Sequence, residues 1–179
     1  ECTGDYEGLL VLRYYLVYRA MVRAKVASLR MHQEGANVPE LVLSFEHYVQ
    51  LAESFANSRN PAVILTCGLS GSGKTRASRE FLARGMIRVR SDVERKRIFT
   101  LAPEEKSGSA LDQGIYTQDA GKKTYERLLY VMRVILESGY PAIVDATFLE
   151  ESMRAPFFAF ALELKIPLVV AHCHAEPDV

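Results

Sequence analysis

The sequence predicts an α/β fold, a parallel sheet between two helical layers, preceded by an α-helical hairpin. Three observations predict it. Four short apolar, β-branched runs, at 62–67, 86–90, 142–147 and 167–174, are separated by stretches of helical periodicity. Strands that alternate with helices in this way form parallel sheets with right-handed crossovers. The first run passes straight into a glycine-rich loop and then a helix-forming segment, while residues 1–60 carry two long helical patterns and no strand pattern.

From about Tyr6 to Met31, Leu9, Leu10, Leu12, Leu16, Val17, Met21, Val22, Val26 and Leu29 recur at helical spacing, with Tyr14, Tyr15 and Tyr18 adding aromatic bulk. Apolar residues cover more than a narrow stripe, so this helix is expected to pack on two partners. Aromatic residues at helical spacing are usually core, and the tyrosines are read as packing against the hairpin and the core rather than as a docking face. Gly35-Ala-Asn-Val-Pro39 is a turn. A second helix, 40–56, carries Leu41, Phe45, Tyr48, Val49, Ala52 and Phe55 on one side. Gly85 is a plausible stop for the helix after the glycine-rich loop. Ser91 or Asp92 is a candidate N-cap for a short helix ending near Phe99. Residues 103–114 form a polar loop long enough to suggest function. A long helix over 117–138 stops at Gly139, and a further helix over 150–164 carries Pro156 as a possible break.

Composition narrows the function. The chain has 179 residues, is 49% hydrophobic, and balances 22 acidic against 22 basic side chains. That balance counts against a dedicated nucleic-acid surface, which usually carries basic excess. Cys2, Cys67 and Cys173 are odd in number and far apart, with no disulfide framework or zinc spacing, which fits a reducing, cytoplasmic setting. No uncharged apolar run is long enough to cross a bilayer. The chain opens on Glu1 rather than Met and stops just after a strand pattern, so it reads as a piece of a longer protein.

The glycine-rich loop is Gly68-Leu69-Ser70-Gly71-Ser72-Gly73-Lys74-Thr75, a Walker A (P-loop) pattern in the strand-to-helix context that such a loop requires. Glycines let the backbone approach phosphates closely. Backbone N–H groups and the positive end of the next helix then face the anion. Lys74 is placed to reach the terminal phosphates, the Thr75 hydroxyl to ligate Mg²⁺, and Arg76 closes the nucleotide-binding stretch. ATP or GTP with Mg²⁺ is the expected ligand set; no guanine-reading Asn/Thr-Lys-x-Asp motif is present.

In an open parallel sheet, ligands bind beyond the carboxyl ends of the strands. The second strand delivers Arg90-Ser91-Asp92 there, with Arg95 one turn on; the third delivers Asp145 and Thr147; the fourth delivers His172, Cys173 and His174. Asp92 is the candidate base toward an acceptor hydroxyl, with helix capping as its alternative reading. Asp145 ends an apolar strand as a Walker B-type carboxylate does and is a candidate Mg²⁺ partner, with a strand-end cap as the alternative. Arg90 and Arg95 are candidates for orienting an anionic acceptor, and Lys74 and Arg95 for stabilising transferred charge. Lys96 and Arg97 read as a solvated helix face. The stretch 84–97 holds six basic and two acidic residues. His172 and His174 share a strand face, but two ligands without a third favour a structural role.

The order Gly68–Thr75, then Arg90-Ser-Asp-Val-Glu-Arg95, then Ile143-Val-Asp-Ala-Thr147 resembles the P-loop kinases of the polynucleotide kinase and zeta-toxin type. That resemblance implies Asp92 as base, Arg95 as acceptor ligand and Asp145 as a positioner of acceptor or metal. Over nearly its whole length the chain also resembles the C-terminal half of bacterial bifunctional aminoglycoside phosphotransferase/ATP-binding proteins. It then implies that residues 1–60 finish an upstream phosphotransferase-like domain. Residues 61–179 would be a P-loop NTPase domain of kinase type, truncated before its lid and last strand. The leading expectation is a kinase acting on a hydroxyl-bearing small molecule. The alternatives are a nucleotide-driven regulatory module for the upstream domain and a polynucleotide 5′-hydroxyl kinase. A pure switch needs no acceptor base, and no aromatic platform for stacking bases is apparent.

Overall fold

The structure is a computed structural model that describes residues 3–33, 35–100 and 118–174. It divides into two compact units, residues 7–59 and residues 3–6 together with 60–174. The polar loop expected over 103–114 lies outside the described residues.

The smaller unit is a pair of helices, α1 (Leu9–Arg30) and α2 (Val38–Asn57). Their buried positions are small: Ala20, Ala24 and Ala27 in α1, Ala52 in α2. Alanines at i, i+4 and i+7 form one stripe, and residues without bulk let two helices approach closely. The expected packing of the tyrosines is therefore overturned. Tyr14, Tyr15 and Tyr18 are 69%, 57% and 54% exposed, and Leu10, Val11, Leu12 and Leu29 are exposed as well. The wide apolar surface of α1 misled the periodicity argument, because the seam follows the small residues and leaves the large ones outside. The Arg13 guanidinium donates to Phe55 O at 3.0 Å and to Ser58 O, meeting carbonyls at the end of α2 where the helix dipole is negative.

The larger unit holds four parallel strands, β1 (Val63–Cys67), β2 (Ile87–Arg90), β3 (Ala142–Asp145) and β4 (Leu168–His172), in the order β2-β3-β1-β4. Helices α3 (Lys74–Leu82), α4 (Ser91–Ile98), α5 (Gln118–Glu137) and α6 (Glu151–Glu163) connect them. The step from β1 to β2 runs one way along the sheet; the steps to β3 and to β4 run the other. Right-handed crossovers therefore put α3 on one face and α5 and α6 on the opposite face. The result is a three-layer α/β/α P-loop fold. The core lies on both faces of the sheet: Ile143 and Val144 are neighbours on β3 and point to opposite faces, and both are fully buried, as are Leu65, Leu128, Met132 and Ile135.

Local chemistry sets the element ends. Gly85 and Gly139 have φ +80° and +81°. In that conformation Gly139 N–H reaches Leu136 O at 2.9 Å and Tyr140 N–H reaches Ile135 O at 3.1 Å, closing α5. The expected break at Pro156 does not occur: α6 is continuous through it. A proline inside a helix forgoes one hydrogen bond, and the buried Phe157, Phe160 and Ala161 hold this turn against the core.

Candidate functional site

The P-loop follows β1 directly. Gly68 has φ +140°, and a Cβ there would overlap the Cys173 carbonyl and Ser72 Oγ, so glycine is required on two grounds. Gly71 and Gly73 have φ +85° and +84°, and Gly73 is the residue from which α3 starts. A Cβ at either would project into open space, so the cradle they shape has room for an anion. Lys74 bends back over the loop, its Nζ donating to Gly68 O at 2.9 Å and Leu69 O at 2.5 Å. The Leu69 side chain is 67% exposed. Ser72 Oγ is buried and is the one such side-chain N or O atom without a hydrogen-bond partner among the described residues.

The loop is tied to the exit of β3. Gly68 N–H donates to Thr147 O at 3.0 Å. The Thr75 hydroxyl donates to Asp145 Oδ2 at 3.2 Å, and the Thr66 hydroxyl meets Asp145 Oδ1 at 3.2 Å. Asp145 is buried, and its carboxylate turns toward the P-loop rather than capping the next turn. Beyond it, the Tyr125 hydroxyl lies 3.1 Å from Thr147 Oγ1 and accepts from Phe148 N–H at 3.3 Å. Phe148 has φ +45°, a conformation that costs on the order of 1–3 kcal/mol for a bulky residue. Its ring is buried edge-on between Tyr125 and Phe157, at 5.2 and 5.0 Å, and its carbonyl accepts from Arg154 Nη1 at 2.5 Å.

At the exit of β2, α4 starts from Arg90 with no side-chain cap. The expected capping by Ser91 or Asp92 is thus corrected: both already lie within the helix, where an acidic first turn complements the dipole. The Asp92 carboxylate instead pairs with Arg90, Nη2 to Oδ2 at 2.6 Å. Arg95 Nε lies 3.4 Å from Thr124 Oγ1 on α5. Arg97 is no solvated face. It pairs with Glu94, which is fully buried and also receives Arg127 Nε at 3.2 Å and the Tyr6 hydroxyl at 3.3 Å.

Most of the predicted residues share one cavity of about 810 Å³, lined by Ser70, Gly71, Gly73, Lys74, Thr75, Arg76, Arg90, Ser91, Asp92, Arg95, Asp145, Ala146 and Thr147. Gly68, Leu69 and Ser72 shape the loop without lining it. His172 and His174 lie elsewhere. Both are exposed, and His172 lines a second cavity of about 760 Å³ with Cys67, Arg154 and Phe158. Among the described residues no group of three or more His, Cys, Asp or Glu could hold a metal ion. A cation beside Thr75 and Asp145 would therefore draw its remaining ligands from phosphate oxygens and water, the usual habit of Mg²⁺; a hydroxyl and a carboxylate facing an anion cradle fit that habit. Burial pushes the Cys173 thiol upward, with Asp145 and Cys67 adding and Lys74 opposing.

Sequence reasoning missed Thr66, Tyr125 and Glu94. Thr66 was visible as a hydroxyl inside an apolar strand, which a buried position would force to find a partner. Tyr125 gave no local signal, since its partners Thr147 and Phe148 lie far along the chain; Glu94 had a local one in Arg97 at i+3, but its burial and its ties to Arg127 and Tyr6 depend on distant segments.

The profile of the AAA domain family matches residues 63–179. Uncharacterized proteins of Mycobacterium bovis and Mycobacterium tuberculosis are 27% identical over 183 residues, covering 99% of this chain and 35% of each relative. The chain thus spans about a third of the length of the curated relatives it matches. Among solved structures, the Mycobacterium tuberculosis APS kinase CysC in complex with AMPPNP and APS aligns with a TM-score of 0.49 and 20% identity, over 66% of this chain and 65% of that one. The Cys556Ala mutant of the same kinase aligns at 0.48 and 20%, over 68% and 82%. Among the described residues no helix is long and apolar enough to cross a membrane.

Proposed function

Since the chain belongs to the AAA domain family, we propose that it is a P-loop phosphotransferase moving the γ-phosphate of ATP or GTP to a hydroxyl of a small-molecule acceptor. The observation that carries this reading is the shared cavity, in which Asp92 and Arg95 face the same space as Lys74 and Thr75. A nucleotide switch needs the second pair and has no use for the first.

In this reading the P-loop backbone and the start of α3 receive the phosphates. Lys74 exchanges the Gly68 and Leu69 carbonyls for phosphate oxygens, with Arg76 at the edge of the nucleotide. Thr75 and Asp145 would hold Mg²⁺, which when bound neutralises charge on the β- and γ-phosphates. The acceptor oxygen bonds to the γ-phosphorus as the bond to the β–γ bridging oxygen breaks, and nucleoside diphosphate leaves. Asp92 accepts the hydroxyl proton. Arg95 and Arg90 orient the acceptor and offset the charge on the moving phosphoryl group, and Thr147 borders the acceptor. The helical hairpin expected over residues 1–60 would, on this reading, finish an upstream phosphotransferase-like domain. The free thiols of Cys67 and Cys173 suit a reducing cytoplasm.

The test is transfer of labelled phosphate from ATP by the full-length protein to a panel of hydroxyl acceptors. Asp92→Asn is expected to abolish transfer and keep nucleotide binding; full transfer by that variant would remove Asp92 from the role of base. A second reading, a nucleotide-driven regulatory module for the upstream domain, draws on the Arg90–Asp92 ion pair, which keeps the assigned base engaged. Hydrolysis that no acceptor accelerates, together with nucleotide-dependent domain contacts, would select it.

A further inference from the structure

We infer that Thr66 is a positioning residue that orients the Asp145 carboxylate for Mg²⁺; the inference rests on the nucleotide–magnesium reading above. The parallel register of β1 and β3 runs from Val63 opposite Ala142 to Leu65 opposite Val144. Backbone bonding between the two segments resumes only where Gly68 N–H meets Thr147 O, at 3.0 Å. Asp145 and Ala146 fall in the gap.

The Thr66 side chain spans that gap. It is completely buried, so its hydroxyl must be satisfied within the protein. Its oxygen accepts Ala146 N–H at 3.3 Å. Its single hydrogen faces two acceptors, Asp145 Oδ1 at 3.2 Å and Ala146 O at 3.3 Å. One hydroxyl therefore holds both the backbone and the side chain of the β3 exit.

The consequence lies in the two carboxylate oxygens. Oδ1 is directed at the interior hydroxyl, and Oδ2 is directed at Thr75 Oγ1, 3.2 Å away on the P-loop. The carboxylate is thus pinned at both ends, with Oδ2 on the side of the phosphate cradle. A hydroxyl that ligates a cation through its oxygen still has its hydrogen to donate, so the Thr75–Asp145 bond is compatible with a metal on Thr75. Thr66 has no exposure to the cavity and acts only through Asp145. Partners that orient a ligand in this way are commonly worth about ten- to a hundredfold in metal affinity.

The experiment measures ADP binding to the full-length protein by calorimetry, in Mg²⁺ and in EDTA, for the wild type, Thr66→Val and Thr66→Ser. Valine keeps the shape and removes the hydroxyl; serine keeps the hydroxyl. The expected result is that Mg²⁺ tightens ADP binding to the wild type. Thr66→Val should lose about ten- to a hundredfold of that tightening with its EDTA affinity unchanged, and Thr66→Ser should regain it. Retention of the full Mg²⁺ effect by Thr66→Val would overturn the inference, as would an equal loss in Mg²⁺ and EDTA, the mark of a merely structural residue. If Thr66→Val does not fold, Thr66→Ala is compared with Thr66→Ser in the same way. A wild type that binds ADP without any Mg²⁺ effect would refute the magnesium reading, and the inference with it. That outcome is distinct from a wild-type effect that survives the substitution.

Discussion

Arg90 and Asp92 form an ion pair 2.6 Å long at the carboxyl end of β2, with side chains 30% and 57% exposed. An exposed pair of this kind contributes only about 0–1 kcal/mol to stability, so its importance lies in where it sits. Arg90→Gln is expected to lower the melting temperature by no more than about 4 °C and to leave ADP affinity unchanged. On the proposed reading the acceptor KM should rise, because the side chain that would border both Asp92 and the acceptor is shortened and neutral. A change confined to nucleotide affinity would move Arg90 to the donor side of the cavity.

Lys74 donates to two loop carbonyls, so on the proposed reading its loss removes a phosphate ligand without stranding a buried charge. Lys74→Met should leave the fold intact by circular dichroism and weaken ADP binding about ten- to a hundredfold. That range corresponds to a charge-assisted hydrogen bond of about 1.5–3 kcal/mol. Unaltered ADP affinity would contradict the phosphate assignment of the loop.

Glu94 is fully buried beneath the Arg97 and Arg127 guanidiniums and the Tyr6 hydroxyl. Removing one side of a buried ionic cluster leaves charges without compensation. Glu94→Ala is expected to destabilise the larger unit by about 3–5 kcal/mol and Tyr6→Phe by about 1 kcal/mol, read from urea unfolding. Comparable small losses for both variants would mean that the cluster does not anchor residues 3–6.

Tyr125→Phe retains the edge-on ring contact with Phe148 and deletes the hydroxyl that joins Thr147 Oγ1 to Phe148 N–H. Leaving that buried donor without its acceptor costs about 1–3 kcal/mol. On the proposed reading phosphate transfer should fall more than nucleotide affinity, since Thr147 would border the acceptor. Equal losses in both would assign Tyr125 to the fold alone.

The Cys173 thiol is held above its ordinary range, chiefly by burial. The folded state therefore favours the protonated thiol. This contribution to stability is complete below the ordinary thiol pKa of about 8.5 and is lost as pH rises through the raised value. At pH 7.5, iodoacetamide should label Cys173 more slowly than a free cysteine, as followed by peptide mass spectrometry. Lys74→Met should slow labelling further, because Lys74 opposes the upward shift. Labelling faster than the free amino acid would show that burial does not protect the thiolate.

Much of this arrangement was legible in the residues. The strand-loop-helix context of Gly68–Thr75, the β-branched runs and the glycine stops are written in neighbouring positions. They translate directly into element type and into the end of the sheet where a ligand binds. Other features were hidden. The hairpin seam was misread because α1 is apolar over most of its surface, and only close approach of helices selects its alanines. Capping was open for Ser91 and the alternative for Asp92, because a capping residue and a first-turn residue share the same composition.

Spacing along the chain is enough to specify an α/β P-loop fold and the candidate residues carried to the rim of its sheet. Which of them meet is set by the packing of the whole fold. It brought Thr66 and Thr75 to opposite oxygens of Asp145, Tyr125 to Thr147, and Tyr6 and Arg127 to Glu94. It also left the histidine pair away from the cavity. The physical reason is that a buried hydroxyl or carboxylate must find partners across the fold. Those partners are chosen by strand order and helix packing, to which no local stretch of sequence has access.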